Sequence, residues 1–222
     1  MKNGSSLKKI LISAGPTVEA LDPVRYLSNR STGTMGYEIA AESAERGFEV
    51  VLVSGPVRLA PPEGVTIKNV VSAAEMQKAV EQESRNCDCL IMAAAVCDFR
   101  PETQSGGKIK KKDTLELKLV KNPDILEGIK TRDDLIKVGF ALETDDPSWN
   151  AGKKLKDKHL DMVVLNTISD HSDPFGTDAG ARDYSFIDKS ENLEEKKGFT
   201  KERLAKAIID KIEEIWAEKG SQ

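Results

Sequence analysis

A polar segment near the N-terminus carries residues that could do chemistry beside a bound phosphate. Residues 22–36 have the sequence DPVRYLSNRSTGTMG, which ends with the spacing S-x-G-x-x-G at Ser31, Gly33 and Gly36. Backbone N–H groups at such a turn attract phosphate when a helix begins there, because the helix dipole places partial positive charge at its N-terminus. A glycine turn that only packs on a strand gives the same pattern, so both interpretations stay open.

The same segment holds an arginine and an asparagine that a simple phosphate cradle does not require. Arg25 offers a two-pronged fork for phosphate or carboxylate. Asn29 offers an amide that can donate a hydrogen bond to a developing oxyanion. The alternative is that both side chains only satisfy loop carbonyls.

A carboxylate and several lysines follow further along the chain. Asp98 comes after the apolar run CLIMAAA, whose small residues would let a ligand approach, although Asp98 could instead cap a turn. The lysine-rich run 108–112 is either a solvated charge cluster or a mobile loop that closes over a triphosphate. Lys154 and Lys158 have i,i+4 spacing and would repel each other without an anion between them.

The elements that must position these residues alternate between strand and helix. This order predicts an α/β fold, a Rossmann-like three-layer α/β/α sandwich with a mostly parallel sheet. Polar loops then collect beyond the carboxyl ends of the strands, where such folds bind ligands. The predicted strands are 9–13, 49–53, 65–70, 89–95, 136–141, 161–166 and 184–188, and the predicted helices are 35–46, 72–84, 123–130, 147–158 and 200–216. A flap of about 99–121 with an edge strand at 115–120 interrupts the pattern, and 169–182 is predicted to be a polar loop.

Composition limits the class of protein. A chain of 222 residues can form a single domain over 1–222, and its net charge of -4 argues against nucleic acid as a partner. It has no apolar run long enough for a membrane helix and no signal-peptide segment, which predicts a cytoplasmic protein. The cysteines Cys87, Cys89 and Cys97 have no zinc-type spacing and are predicted to pack in the interior, so no metal ligands are assigned in the chain.

Seven ordered motifs between about residues 8 and 216 resemble one family. They are ISAGPT, DPVRYLSNRSTGTMG, AAAVCDFRP, KIKK, KNPDIL, VGFALET and DMVVLN. In this order they are similar to phosphopantothenate-cysteine ligase, the second half of the bacterial bifunctional coenzyme A biosynthesis protein. The resemblance implies that the carboxylate of 4'-phosphopantothenate attacks CTP to give an acyl-cytidylate and pyrophosphate. Cysteine then displaces CMP, and Mg²⁺ bridges the triphosphate oxygens.

The resemblance also implies roles for individual residues. The catalytic residues are Asn29, which holds the acyl intermediate, and Lys108, which stabilises charge on the α-phosphate. Arg25 reaches substrate in the neighbouring subunit, which implies a homodimer with a shared site. The other substrate-binding residues are Asn29, Ala94, Ala95, Asp98 and Asn166. The nucleotide-binding residues are Gly15, Ser31, Gly33, Gly36, Ala93, Asp98, Lys108, Pro123, Asp124, Ile125, Leu126, Phe140, Lys154 and Lys158.

The chain departs from the family pattern in two places, and two other classes of function stay open. It lacks the flavin-dependent decarboxylase half, so it is either a free-standing ligase, to which a separate decarboxylase could bind, or an excised domain. Cys97 stands where the family has alanine. An NAD(P)-dependent oxidoreductase is disfavoured because Ser54 and Gly55 occupy the place of the acidic residue that binds ribose. A nucleotide-binding module without catalysis would not need both Asn29 and Lys108.

Overall fold

One eight-stranded sheet forms the centre of the protein in the computed structural model, which describes residues 7–111, 113–143, 147–167 and 180–220. The strands in these ranges are β1 Lys9–Ala14, β2 Val18–Ala20, β3 Tyr26–Ser28, β4 Glu49–Ser54, β5 Val65–Asn69, β6 Cys89–Met92, β7 Phe99–Pro101, β8 Leu119–Lys121, β9 Ile136–Glu143, β10 Met162–Thr167, β11 Arg182–Asp188 and β12 Leu193–Phe199. The helices are α1 Thr34–Glu45, α2 Ala73–Ser84, α3 Ile125–Gly128, α4 Pro147–Asp157 and α5 Lys201–Gly220.

The sheet has the order β12-β11-β10-β9-β6-β1-β4-β5. The six strands from β10 to β5 run parallel, and β11 and β12 extend the sheet in antiparallel pairing. The predicted Rossmann-like α/β fold is therefore confirmed. Because the central strands are parallel, their carboxyl ends and the loops that follow them lie at one edge of the sheet.

Helices cover both faces of the sheet, which explains why the central strands are almost continuously apolar. On one face, Ile10 and Ile12 of β1 belong to the same buried cluster as Ile39 of α1 and Ile208 of α5. On the other face, Leu11 belongs to a cluster that includes residues of α2, α3 and α4. Strand β1 therefore contributes to both halves of the core.

The elements that differ from prediction are short or charged. The prediction of an edge strand at 115–120 is wrong, because β8 covers only Leu119–Lys121 and pairs with β7 inside the flap. The helix expected at 123–130 is shortened to α3, because Asp124 is its extended N-cap residue and the backbone is extended again at Ile129. The β2–β3 hairpin and β12 were not predicted, and β12 escapes detection because its sequence LEEKKGF is that of a charged, exposed edge strand. Most of the loop expected at 169–182 lies outside the described residues.

None of the helices in the described ranges combines the length and the apolar character that a bilayer span needs. The predicted packing role of the cysteines agrees with their burial, since Cys87, Cys89 and Cys97 are all buried with free thiols.

The three thiols are expected to be unreactive in the folded protein. Burial raises the pKa of Cys87 to about 12 and also raises the pKa of Cys89 and Cys97, so little thiolate forms at mildly alkaline pH. We expect Ellman's reagent to modify none of them in the native protein and all of them in concentrated guanidinium chloride. Rapid modification of a native thiol would show that its part of the core opens readily.

Candidate functional site

Two loops that leave neighbouring parallel strands run side by side at the carboxyl edge of the sheet. Pro16, after β1, forms an isolated parallel bridge with Ala95, after β6. The Thr17 N–H donates to the Ala95 carbonyl at 3.2 Å, and the Ala95 N–H donates to the Gly15 carbonyl at 2.9 Å. The loop after β1 and the AAAVCD loop are therefore fixed to each other by backbone hydrogen bonds.

Asn29 lies against this pair of loops. Its Nδ2 donates to the Ala95 carbonyl at 2.9 Å, while the residue as a whole stays exposed. The structure thus brings Asn29 together with the small residues Ala94 and Ala95, which the sequence predicted to share one site. The amide satisfies a loop carbonyl, as the alternative interpretation required, and its role toward a ligand stays a prediction.

The glycine turn is required by packing. Gly15 and Gly33 have φ angles of 77° and 80°, in the left-handed region that favours glycine. A Cβ on Gly33 would lie 2.7 Å from Cγ1 of Val57, and one on Gly15 would lie 2.9 Å from the same atom. A Cβ on Gly36 would lie 2.5 Å from the Ala14 Cβ. Binding of a phosphate by the N–H groups of this turn, with Ser31, stays a prediction.

The flap is clamped at its base by a residue that the sequence analysis did not select. Asn122 is buried, and its N–H donates to the Asp98 carbonyl at 2.7 Å while its Nδ2 donates to the Cys97 carbonyl at 2.9 Å. Its Oδ1 accepts from Nη1 of Arg100 at 2.9 Å. These bonds join the two ends of the flap and fix the backbone of Asp98. An asparagine directly before a proline at a strand end was the available signal in the sequence.

Arg25 connects the loop after β1 to the flap. Its guanidinium forms an ion pair with Asp22 and also donates from Nη2 to the Ile109 carbonyl at 2.7 Å. The flap segment that carries Lys108 is thereby held beside the loop that carries Asn29, and Lys108 itself is exposed. All these contacts lie within one chain, and the predicted reach of Arg25 into a neighbouring subunit stays a prediction.

Lys154 and Lys158 each have an acceptor within the protein, so their mutual repulsion is offset without an anion between them, and their contact with a nucleotide stays a prediction. Lys158 forms ion pairs with Asp124 and Glu127, and Nζ of Lys154 donates to the Phe140 carbonyl at 2.6 Å. Burial alone would lower the pKa of Lys158, but the hydrogen bonds to Glu127 and Asp124 outweigh it and raise that pKa. No anion between the two lysines is needed to explain their spacing.

The remaining predicted residues lie at the carboxyl edge or in the core beside it. Ala93 donates its N–H to the Ser13 carbonyl, next to the small-residue wall. Asn166, near the end of β10, lies beside Leu142 of β9, two residues beyond Phe140. Ile125 and Leu126 are buried, and Asp124 accepts from the Leu126 N–H at 2.9 Å as the N-cap of α3. Pro123 is exposed, and a nucleotide contact for this group stays a prediction.

Comparison with known proteins gives one family match and many relatives. The model of the DNA/pantothenate metabolism flavoprotein C-terminal domain matches residues 5–215. A cysteine/cysteine sulfinic acid decarboxylase of an unknown prokaryotic organism is 44% identical over 210 residues, which are 92% of this chain and 58% of that protein. The coenzyme A biosynthesis bifunctional protein CoaBC of Escherichia coli strain K12 is 41% identical over 217 residues, 95% of this chain and 53% of that protein.

A solved structure agrees with these matches. The crystal structure of the C-terminal domain of a coenzyme A biosynthesis bifunctional protein CoaBC has a TM-score of 0.81 and 36% identity, and the match covers 98% of this chain and all of that one. The chain spans little more than half the length of the full relatives, so activities named for those whole proteins do not pass to it directly. The coarser part of the resemblance, a relation to the bacterial coenzyme A biosynthesis protein, is confirmed.

The finer part of the resemblance is corrected by the names of these matches. They name a flavoprotein domain and a decarboxylase, and so indicate a different step of the coenzyme A route from CTP-dependent ligation of phosphopantothenate and cysteine. The expectations of a phosphopantothenate-cysteine ligase, of CTP as co-substrate and of Mg²⁺ are overturned on this ground.

The flavin that the family description implies is not needed to explain the glycines of this turn. The α-carbons of Gly15 and Gly33 pack against Val57, and that of Gly36 packs against Ala14, so protein contacts alone require glycine at these positions. Protein atoms therefore occupy the side of the turn on which a side chain would stand. No step of the chemistry is derived through flavin.

Proposed function

Because this chain belongs to the family of the DNA/pantothenate metabolism flavoprotein C-terminal domain, we propose that it serves coenzyme A biosynthesis by binding a phosphorylated derivative of pantothenate, such as phosphopantothenoylcysteine. The observation that supports this most is the junction at the carboxyl edge, where the flap, the loop after β1 and the AAAVCD loop are hydrogen-bonded to one another.

The charge distribution at this junction suits a phosphorylated ligand. The protein is acidic overall, with a net charge of -4, yet the flap presents Lys108, Lys110 and Lys111 as exposed side chains in its described part. A local group of lysines on an acidic protein favours an anionic ligand over indiscriminate binding of polyanions. The phosphate of the substrate is assigned to these lysines.

The small residues of the AAAVCD loop suit the rest of such a molecule. Ala94 and Ala95 are half-buried and leave room for a slender amide-containing chain, while Asn29 supplies an exposed amide on the same side. Amide groups of a pantothenoyl chain and a terminal carboxylate both accept hydrogen bonds from an asparagine Nδ2. The proposed orientation places the phosphate at the flap and the carboxylate near Asn29.

Titration calorimetry with phosphopantothenoylcysteine tests the proposed binding. We expect Lys108→Ala to weaken binding about tenfold, because a charge-assisted contact to phosphate is lost. Lys118→Ala is the matched control, since Lys118 is an exposed flap lysine that forms an ion pair with Glu102. Pantothenoylcysteine, which lacks only the phosphate, is expected to bind more weakly than phosphopantothenoylcysteine. Equal affinity for both compounds, or equal losses in both variants, would count against the proposal.

A separate assay identifies the chemical step. The protein is incubated with phosphopantothenoylcysteine and FMN, and released CO₂ is measured. Release above a no-protein control would assign decarboxylation to this chain, whereas binding without release would place that chemistry in the part of the relatives that the chain does not span. Pyrophosphate release from CTP in the presence of 4'-phosphopantothenate and cysteine would contradict a decarboxylation step.

A further inference from the structure

Asp22 is a buried carboxylate whose hydrogen bonds reach far along the chain. Its side chain is fully buried, and Oδ1 accepts from the N–H groups of Val24 and Arg25, both at 2.8 Å. Oδ2 accepts from Nε of Arg25 at 3.0 Å and from the Ile109 N–H at 3.0 Å. One oxygen therefore closes a local turn, and the other binds the flap 87 residues away.

The flap is held at this point through both polar groups of one peptide segment. The Ile109 N–H binds Asp22, and the Ile109 carbonyl accepts from Nη2 of Arg25 at 2.7 Å. Close by, the Ser105 N–H donates to the Leu21 carbonyl at 2.9 Å. The flap segment thus has a second attachment, apart from the clamp that Asn122 forms at its base.

The electrostatics keep this attachment charged. Burial alone would raise the pKa of the Asp22 carboxyl, but hydrogen bonds from Ile109, Arg25 and Val24 outweigh it and hold that pKa well below the ordinary value. A group with a lowered pKa in the folded state stabilises the fold above its unfolded-state pKa, and loses that effect only as the pH falls through the folded-state value. The carboxylate is therefore ionised throughout the neutral range.

We propose that Asp22 is a positioning residue: its carboxylate acts as a latch that holds the lysine-bearing part of the flap against the loop after β1. Without the latch, the flap stays attached at Asn122 and through the Ser105–Leu21 hydrogen bond, and the segment around Ile109 moves away from the loop after β1. The consequence for ligand affinity rests on the proposed function, whereas the latch itself does not.

Asp22→Asn breaks the latch selectively. The variant keeps one carbonyl oxygen to accept from the Val24 and Arg25 N–H groups, so the local turn can persist. The amide NH₂ then replaces the oxygen that accepted from Ile109 and Arg25. Because NH₂ is also a donor, both of these hydrogen bonds are lost. Glu102→Gln is the matched control, because Glu102 is an exposed flap carboxylate whose ion pair with Lys118 leaves the latch untouched.

Limited proteolysis with trypsin measures the latch directly, since segment 108–112 contains the cleavage sites Lys108, Lys110, Lys111 and Lys112. We expect cleavage there to be about tenfold faster in Asp22→Asn than in the native protein, because the cleavage rate follows the population of the open flap. Glu102→Gln is expected to be cleaved at the native rate. Unchanged cleavage in a folded Asp22→Asn variant would overturn the proposal.

Hydrogen exchange and ligand affinity provide two further tests of the latch. If the variant does not fold, hydrogen exchange on the unmodified protein is used: the Ile109 amide is expected to exchange more slowly than those of Lys108 and Lys110, and equal rates would overturn the latch. Asp22→Asn is also expected to bind phosphopantothenoylcysteine about tenfold more weakly. Faster cleavage together with unchanged affinity would leave the latch standing and contradict its link to the proposed function.

Discussion

Gly55→Ala is expected to destabilise the protein by about 3 kcal/mol, because the added methyl group would clash with backbone atoms that cannot move aside without losing other contacts. A Cβ on Gly55 would lie 1.8 Å from the Pro16 carbonyl oxygen and 2.9 Å from its carbon. Those are main-chain atoms of the loop after β1, which is bridged to Ala95 on its other side. The Gly55 N–H also donates to the Ala14 carbonyl at 2.9 Å, so the two segments cannot separate without losing that bond.

Equilibrium unfolding in urea gives the free energy of unfolding for this variant. Gly106→Ala is the control, because the glycine is in the flap with no atom within 4 Å of the added Cβ and no left-handed φ. Its free energy of unfolding is expected to change by less than about 0.5 kcal/mol. Similar losses in both variants would show that the contact between Gly55 and Pro16 is not the cause.

Asp161→Ala is expected to lower the free energy of unfolding by about 3 kcal/mol, because it removes a buried carboxylate that pairs with Lys189 and Lys219 and accepts from the Lys137 backbone. The Asp161 side chain is 3% exposed, and its Oδ1 lies 2.7 Å from Nζ of Lys189 and 2.9 Å from Nζ of Lys219. Its Oδ2 accepts from the Lys137 N–H at 2.8 Å. The carboxylate thus joins β9, β10 and the end of α5 at the amino edge of the sheet, opposite the candidate site.

The destabilisation should also depend on pH. Burial lowers the pKa of Lys137, the Asp161 charge opposes that shift, and Lys189 and Lys219 add to it. Removing Asp161 lowers the pKa of Lys137 further. Since a lysine with a lowered folded-state pKa destabilises the fold while it is protonated, the loss should shrink as the pH rises through that pKa.

Urea unfolding at neutral and alkaline pH checks this prediction. Asp210→Ala is the control, because Asp210 is an exposed carboxylate paired with Arg46 and its removal should cost no more than about 1 kcal/mol. Folded Asp161→Ala should retain its affinity for phosphopantothenoylcysteine, since the carboxylate lies at the opposite edge from the site. A large loss of affinity with little loss of stability would contradict this assignment.

Local sequence patterns predicted the central architecture well, for a physical reason. Buried parallel strands need apolar residues on both faces, so β1 and β4 appear as short continuous apolar runs. The capping of α2 is equally local: the Ser72 hydroxyl accepts from the Glu75 N–H at 3.2 Å, and the two residues have the S-x-x-E spacing of a capping box. The elements that escaped prediction, β2, β3 and β12, are short or solvent-exposed strands that pair with near neighbours in the chain, and they lack the continuous apolar runs of β1 and β4.

The sequence by itself determined the order of the parallel strands and the helices, the edge at which the polar loops gather and the relation to the coenzyme A biosynthesis protein, because these depend on periodicity and ordered motifs. It could not determine which side chains contact one another in the folded chain. Only the tertiary structure decided that Lys158 pairs with Asp124 and Glu127, that Val57 packs against the α-carbons of Gly15 and Gly33, and that Asp22 holds the flap. Each of these contacts joins residues far apart in the chain, and the distance between such residues is set by packing rather than by local sequence.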